Sequence, residues 1–326
     1  MVNNPNGVDG RLSLDLNDNV IWNKQELLEF LAQHQGGVID LEIAEGACLR
    51  SLGLFDILDA FKFKSITIRS FNLVQEPYRN YKLQGHALSF RYFNVPPESG
   101  YDKHHFWTGK KLFGALYNRP TWSRIGLASH LFVNHNNQTT LNFRFDPHDP
   151  DQRPMFELDQ LFSIHPESIL NFGKTYSHLP LRIEQQDSYT MGGTTKTHTD
   201  QLATFYPDFL IDVVAETFLK GRSFYPTEKT TRPMLMKKPF ILMGPKCFLI
   251  HLRQMGFKTF HDFWDEDYDG QGMEQRYTII LDLIDSLAKK TSVELEDMYQ
   301  RMQPILEHNY QLLIEKKFTR EITYVE

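Results

Sequence analysis

Two short β-branched runs, each preceded by an amphipathic segment, set the fold class of this chain. Residues 38–43 (Val-Ile-Asp-Leu-Glu-Ile) and 65–69 (Ser-Ile-Thr-Ile-Arg) have strand composition. Before each, apolar residues recur every three or four positions: over 23–31, opened by Asn23 as a cap and followed by Gly36-Gly37, and over about 49–61. Helix and strand repeated in this order predict a mostly parallel sheet, because a parallel neighbour can be reached only by a crossover.

Asn94, Pro96, Pro97, Ser99 and Gly100 then fall together, and a proline pair resists both helix and central strand, so a domain boundary is placed near here. Beyond it the pattern restarts: a strand over 111–117, a sharp turn at Asn118-Arg119-Pro120, a helix over 122–133 and a strand over 139–145. A β-turn-α unit of this kind opens a Rossmann-like domain. Residues 146–154, with three prolines, read as a loop, and the Gly- and Thr-rich stretch 185–198 as an exposed segment suited to a lid. A strand or short helix over 210–216, a helix starting at Pro226 or Thr227, and a buried strand stopped by Gly244-Pro245 follow. Helical patterns over 247–255, 273–289 and 292–317 complete the chain.

At 326 residues the chain exceeds what one hydrophobic core usually spans. The expectation is therefore an α/β protein of two Rossmann-like domains, 1–106 and 107–326, with the last helix or two packing back across the first. Its 35 Lys and Arg against 41 Asp and Glu, a formal charge of −6, argue against a broad footprint for nucleic acid or anionic lipid. Cys48 and Cys247 make no disulfide framework and read as free thiols of a reducing compartment. No apolar run approaches the roughly 18 residues of a membrane span, and residues 1–18 lack the regions of a signal peptide, so a cytoplasmic location is expected.

The run from Phe224 to Pro245 resembles the donor motif of the fucosyltransferases. Thr227-Glu228-Lys229 opens a helix that leads through Arg232-Pro233 to a strand ending at Gly244. Enzymes of that family have the two-domain GT-B fold, hold the nucleotide sugar in the C-terminal Rossmann domain and generally need no metal for chemistry. The same run, followed by Gly256-Phe257-Lys258-Thr259-Phe260, is also similar to tailed-phage proteins, which would place the chain in the cytoplasm of a phage-infected host cell. The resemblance implies a hexosyl- or fucosyl-type glycosyltransferase whose donor is a nucleotide-diphosphate sugar, with no further cofactor. Its acceptor would be a glycan precursor or a hydroxylated base in viral DNA. It assigns Glu228 to the ribose or sugar and Lys229 to the diphosphate, with Thr227, Arg232 and the second acidic residue Glu216 beside them. Residues 111–131 are similar to the strand, Asn-containing turn and Arg-led helix that open the donor domain, which puts Arg124, or its near competitor Arg119, on the diphosphate. Lys237-Lys238 stand where the family has small residues, a departure that leaves the sugar open.

Physical chemistry points to the same place, since a turn feeding a helix N-terminus offers backbone N–H groups and a partial positive charge to a diphosphate. An inverting transfer needs a general base for the acceptor hydroxyl. Asp102, His104 and His105, near the predicted domain junction, are the candidates, and residue type does not choose among them.

Two other classes compete. Asp265 and Asp267 form an Asp-x-Asp pair of the kind that holds metal in single-domain (GT-A) transferases. As a calcium loop the same segment fails, because Arg276 stands where a bidentate Glu is needed. A solvated loop capping the helix from Gln271 onward is the plain reading. The other rival is a catalytically silent binding or scaffold protein on a transferase-like fold. No Gly-x-Gly-x-x-Gly, P-loop or Gly-x-Ser-x-Gly motif occurs, and no histidine pair has the His-Glu-x-x-His spacing, so no metal site is expected.

Overall fold

In a computed structural model the described residues are 9–93 apart from 15, 18, 19, 22, 44 and 75, then 101–149, 155–183 and 202–323. The boundary cluster 94–100 and the lid segment 185–198 lie outside them. The strands of the first half are β1 (Gly10–Leu14), β2 (Leu16–Asn17), β3 (Val20–Ile21), β4 (Val38–Ile43), β5 (Ser65–Ser70) and β6 (Lys82–Gly85). Four of them form an all-parallel sheet in the order β1-β4-β5-β6, while β2 and β3 make a small antiparallel pair. The second half contributes β7 (Lys111–Tyr117), β8 (Thr139–Phe143), β9 (Phe209–Ala215) and β10 (Phe240–Met243), again all parallel, in the order β10-β9-β7-β8. Nine α-helices accompany the sheets among the described residues. They are α1 (Lys24–Gln33), α2 (Leu54–Asp59), α3 (Trp122–His135), α4 (Met155–Ile164), α5 (Pro166–Tyr176), α6 (Glu228–Leu235), α7 (Phe248–Gln254), α8 (Met273–Leu287) and α9 (Ser292–Ile314). The architecture is α/β with two parallel sheets.

The two sheets bury their strands differently. In β4 and β5 burial alternates: Ile39, Leu41, Ile43, Ile66 and Ile68 face one core with Leu27, Leu31 and Leu58. The opposite face carries an Arg69–Asp40 ion pair and an Arg11–Glu42 ion pair. In β9 all seven residues are buried, as expected of a central parallel strand covered on both faces. Its core is continuous with α3, α8 and α9 through Ile125, Ile280 and Met302.

Several elements depart from the sequence reading. The periodic stretch from residue 49 becomes helical only at Leu54, because Gly53 adopts φ +68° and ends the preceding turn. Asn23 sits at the cap position of α1, but its amide donates to Glu26 (2.9 Å) and to the Ser13 carbonyl (3.1 Å) rather than its oxygen capping the helix. β1 and β6 were hidden by polar composition, and α4 and α5 had no predicted counterpart. The last helix packs mainly on the second sheet's core, through Leu295, Met302, Leu306 and Leu313 of α9. Toward residues 1–106, α9 itself reaches His105, whose carbonyl accepts from the Tyr299 hydroxyl (3.2 Å) and whose ring meets Tyr310, while in the segment after α9 Phe318 packs on Phe90 and Phe93. No helix among the described residues is long and apolar enough to cross a membrane.

A hydrogen-bonded seam joins the carboxyl-terminal edges of the two sheets. Asn72, two residues beyond β5 and buried, accepts from Phe224 N (2.7 Å) and Val74 N (3.1 Å), and Leu73 N donates to the Phe224 carbonyl (2.8 Å). The Ser223 hydroxyl donates to the Gly46 carbonyl. Gly46 must be glycine because a Cβ there would stand 2.3 Å from the Tyr225 Cβ. Removing the Asn72 amide strands two buried N–H donors, so Asn72→Ala is expected to lower unfolding free energy by about 2 kcal/mol or more. Urea denaturation checks this, and a wild-type midpoint for the variant would show that the seam contributes nothing.

Candidate functional site

The chain enters the second sheet at β7, moves out to β8, and returns to the other side of β7 for β9, so the strand order reverses between β7 and β9. In an open parallel sheet, that reversal leaves a crevice outside the carboxyl ends of the two strands. Arg119 follows β7 there, Glu216 follows β9, and the connection from β9 delivers Thr227 to the start of α6.

Glu216 is 2 % exposed, and its carboxyl group takes three hydrogen bonds from the α6 start. Oε1 accepts from Thr227 N (3.1 Å) and from the Thr230 hydroxyl (2.6 Å), and Oε2 accepts from the Thr227 hydroxyl (2.7 Å). Thr227 is the N-cap of α6, its Oγ1 accepting from Lys229 N (3.3 Å) and from Lys229 Nζ (3.0 Å). The ammonium also reaches Glu228 Oε1 (2.9 Å) and lies 3.9 Å from Glu216 Oε2. An acidic group therefore already lies beneath the amino end of α6. Of the three donors of the Lys229 ammonium, two go to Thr227 and Glu228.

The two candidate arginines part company. Arg124 is 2 % exposed and donates to the Ala215 carbonyl (3.0 and 3.2 Å) and the Thr217 hydroxyl (3.2 Å), so it braces the end of β9 from below. Burial lowers its pKa, opposed by the charges of Glu216 and Glu228. Arg119 is exposed at the mouth of the crevice. Arg232 is also buried: its Nε donates to the Tyr206 hydroxyl (2.7 Å), which donates to Asp212 Oδ2 (2.5 Å). Burial pushes Asp212 up to about 6, and it pushes the neighbouring Lys238, bonded to the Phe106 carbonyl (2.9 Å), down to about 7. This network fastens α6 to β9, and Arg124 and Arg232 act as supports rather than as the ligand contacts expected of them.

The first sheet brings residues that sequence reasoning missed. Glu45 lies two residues beyond β4, and its pKa is raised by burial against the opposing charges of Arg91, Arg119 and Lys229. Arg91, in the 3₁₀ turn Ala87–Phe93, lies over Tyr92 (4.7 Å), Phe71 (5.1 Å) and Tyr225 (6.0 Å). Burial raises the Tyr92 phenol, and the negative charge of Glu228 adds to the shift. Isolated polar residues in loops carry no periodicity, so nothing in the sequence singled these out.

Asp102, His104 and His105 are not brought to this cluster. His105 Nε2 contacts the carbonyl of Leu235 (2.8 Å), the last residue of α6, and its ring meets Tyr310 edge-on. That is about 10 Å along the helix from Glu228. Burial and the charge of Lys237 push His105 down to about 4, while burial and Lys103 lower His104. Asp265 and Asp267 are exposed, with Asp265 Oδ1 accepting from Asp267 N (2.7 Å). The capping group of this loop is Asp269, and it caps α7, not the following helix, by accepting from Leu249 N (3.0 Å) and Ile250 N (3.2 Å). Among the described residues one group of three side chains could hold a metal ion, His130, His135 and Asp285, at the other end of α3.

Compared with known proteins, the chain matches no family model, no curated protein and no solved structure.

Glu216→Ala leaves one buried N–H and two buried hydroxyls without their acceptor. It is expected to cost about 3–5 kcal/mol, the scale for breaking a buried polar cluster at one partner. Chemical denaturation measures this, and a loss below about 1 kcal/mol, the net worth of one ordinary hydrogen bond, would remove Glu216 as the anchor of α6.

Proposed function

We propose that the protein is a glycosyltransferase of GT-B arrangement that moves a sugar from a nucleotide-diphosphate sugar to a hydroxyl acceptor. One observation carries this reading: the Thr227-Glu228-Lys229 turn and Arg119 stand at the switch-point crevice of the second sheet, facing Glu45 and Arg91 from the first. Lys229 and Arg119 supply positive charge where a diphosphate would depart, and charge-assisted contacts to a leaving group count most when they are held in place beforehand. Glu228 offers a carboxylate for ribose or sugar hydroxyls. The Tyr92 and Tyr225 rings, 6.0 Å apart, give the cleft an aromatic wall.

In this reading Glu45 replaces the histidines as the general base. It stands on the first-domain side, and its raised pKa brings it nearer to working pH. The acceptor hydroxyl gives its proton to Glu45 as its oxygen bonds to the anomeric carbon, and the bond from that carbon to the diphosphate oxygen breaks. The diphosphate leaves with the electron pair, against Lys229 and Arg119. Of the two acceptor classes, a glycan precursor fits a chain of net charge −6 better than polyanionic DNA.

Lys229→Ala is expected to weaken nucleotide binding about 10–100-fold, the value of one charged hydrogen bond, in calorimetry against the diphosphates GDP, UDP, ADP and TDP and the monophosphate CMP. If the wild-type protein binds none of the five, the reading fails. For Glu45 the sign is that of a base: activity is lost as pH falls through its raised pKa, because only the deprotonated form accepts a proton. Glu45→Gln should lower kcat by about 10²–10⁴-fold and abolish that acidic limb in the pH–rate profile. A variant that keeps the limb points to another base.

A further inference from the structure

A cluster away from the cleft is unused by this function. α3 starts beside the crevice and runs 14 residues to His135, so its last turn lies about 20 Å from its start. There His130 and His135 both approach Asp285 of α8, their Nε2 atoms 2.8 and 2.6 Å from the same Oδ1. The donor atoms of the three side chains all lie within 4.8 Å of one another.

The convergence is built by the backbone. On an unbroken α-helix, residues five apart point about 140° away from each other, too far for their rings to share a partner. His135 leaves helical geometry at φ −135° and ψ 25°, where α3 gives way to the 3₁₀ turn Asn136–Gln138, and the two ring centroids come to 5.5 Å. The turn is tied down on both sides: the Thr139 hydroxyl donates to the His135 carbonyl (2.8 Å), and Gln138 Nε2 donates to the Ala288 carbonyl (3.1 Å) just after α8. Asn134 holds the far side of His130, its amide nitrogen 3.1 Å from Nδ1.

We propose that His130, His135 and Asp285 form a binding site for a divalent transition-metal ion of the zinc class, held by two imidazole Nε2 atoms and one carboxylate oxygen. Two nitrogens and one oxygen suit zinc and its neighbours, whereas calcium and magnesium take shells of oxygen. With metal–ligand bonds of about 2.1 Å, tetrahedral ligands stand about 3.4 Å apart, so the two Nε2–Oδ1 separations of 2.8 and 2.6 Å need open by only about 0.6–0.8 Å. To bind the ion each imidazole must present Nε2 without a proton, its ring N–H then being at Nδ1. The Asn134 amide, turned over, presents its oxygen to the Nδ1–H of His130, the outer-shell contact that orients a metal-bound histidine. Three protein ligands leave the fourth position for water, on the side of the groove lined by Asn137, Gln138 and Lys289. The ion links α3 to α8 and stabilises the second domain by mass action.

Titrating the full-length protein, freed of metal by chelation, with Zn²⁺ in a calorimeter and with Co²⁺ followed by visible absorption should give one saturable ion per chain. Zn²⁺ should also raise the melting temperature. His135→Ala and Asp285→Ala should lose all three signals. Asp285→Asn keeps a hydrogen-bond acceptor for both imidazoles, so it should keep the wild-type circular dichroism while losing metal binding. It decides the matter if the alanine variants fail to fold. Asn134→Ala should weaken binding about ten-fold. The proposal is overturned if the wild type takes up neither ion saturably, or if Asp285→Asn binds as tightly as wild type.

Discussion

Glu216 stands one residue beyond β9, where the strand order of the second sheet reverses, and its two carboxyl oxygens collect one backbone N–H and two hydroxyls from the start of α6. A buried acidic group is costly unless its oxygens are fully used, so the first turn of α6 must close on it. That closure sets the position of Lys229, whose ammonium rests on the same Thr227 hydroxyl that donates to Glu216. Arg124 completes the arrangement from beneath by holding the Ala215 carbonyl, and Arg232 ties the middle of the helix to Tyr206 and Asp212. The cleft thus has a rigid floor made of charged groups that are themselves shielded from solvent.

The chain linking β9 to this floor also joins the two halves of the molecule. On its way to Thr227 it passes Ser223, which bonds to Gly46, Phe224, which bonds to Asn72 and Leu73, and Tyr225, which packs against Gly46 at the carboxyl edge of the first sheet. One connection therefore determines both where Lys229 sits and where Glu45 sits relative to it. The close approach of Tyr225 to Gly46 leaves no room for a side chain there, so the spacing across the cleft is set by backbone contact.

Much of the architecture was legible in advance. β4, β5, β7 and β10 are short apolar runs bounded by turn residues, and burial of such a run is nearly independent of the rest of the chain. β1 and β6 were not legible, because Gly-Arg-Leu-Ser-Leu and Lys-Leu-Gln-Gly become strands only by pairing with a stronger neighbour at the sheet edge. The helix start at Thr227 was legible, since it depends on a few consecutive residues. The pairing of His130 and His135 was not. A separation of five matches no face of a helix, and the break at His135 that makes it work is held by Gln138 and Ala288.

The sequence by itself determined the alternation of helix and strand, the parallel character of the sheets and the helix start at Thr227-Glu228-Lys229, because each of these follows from the periodicity or capping chemistry of a few adjacent residues. Only the tertiary structure decided which charged groups face the crevice. Arg119 and Arg124 lie five residues apart, and the resemblance favoured Arg124 for the diphosphate; the turn into α3 leaves Arg119 at the surface and drives Arg124 under β9. His105 and Glu228 were expected together and sit at opposite ends of one helix. Local pattern specifies an element, whereas the direction in which a side chain points from it is settled by crossovers and buried contacts that join residues a hundred positions apart.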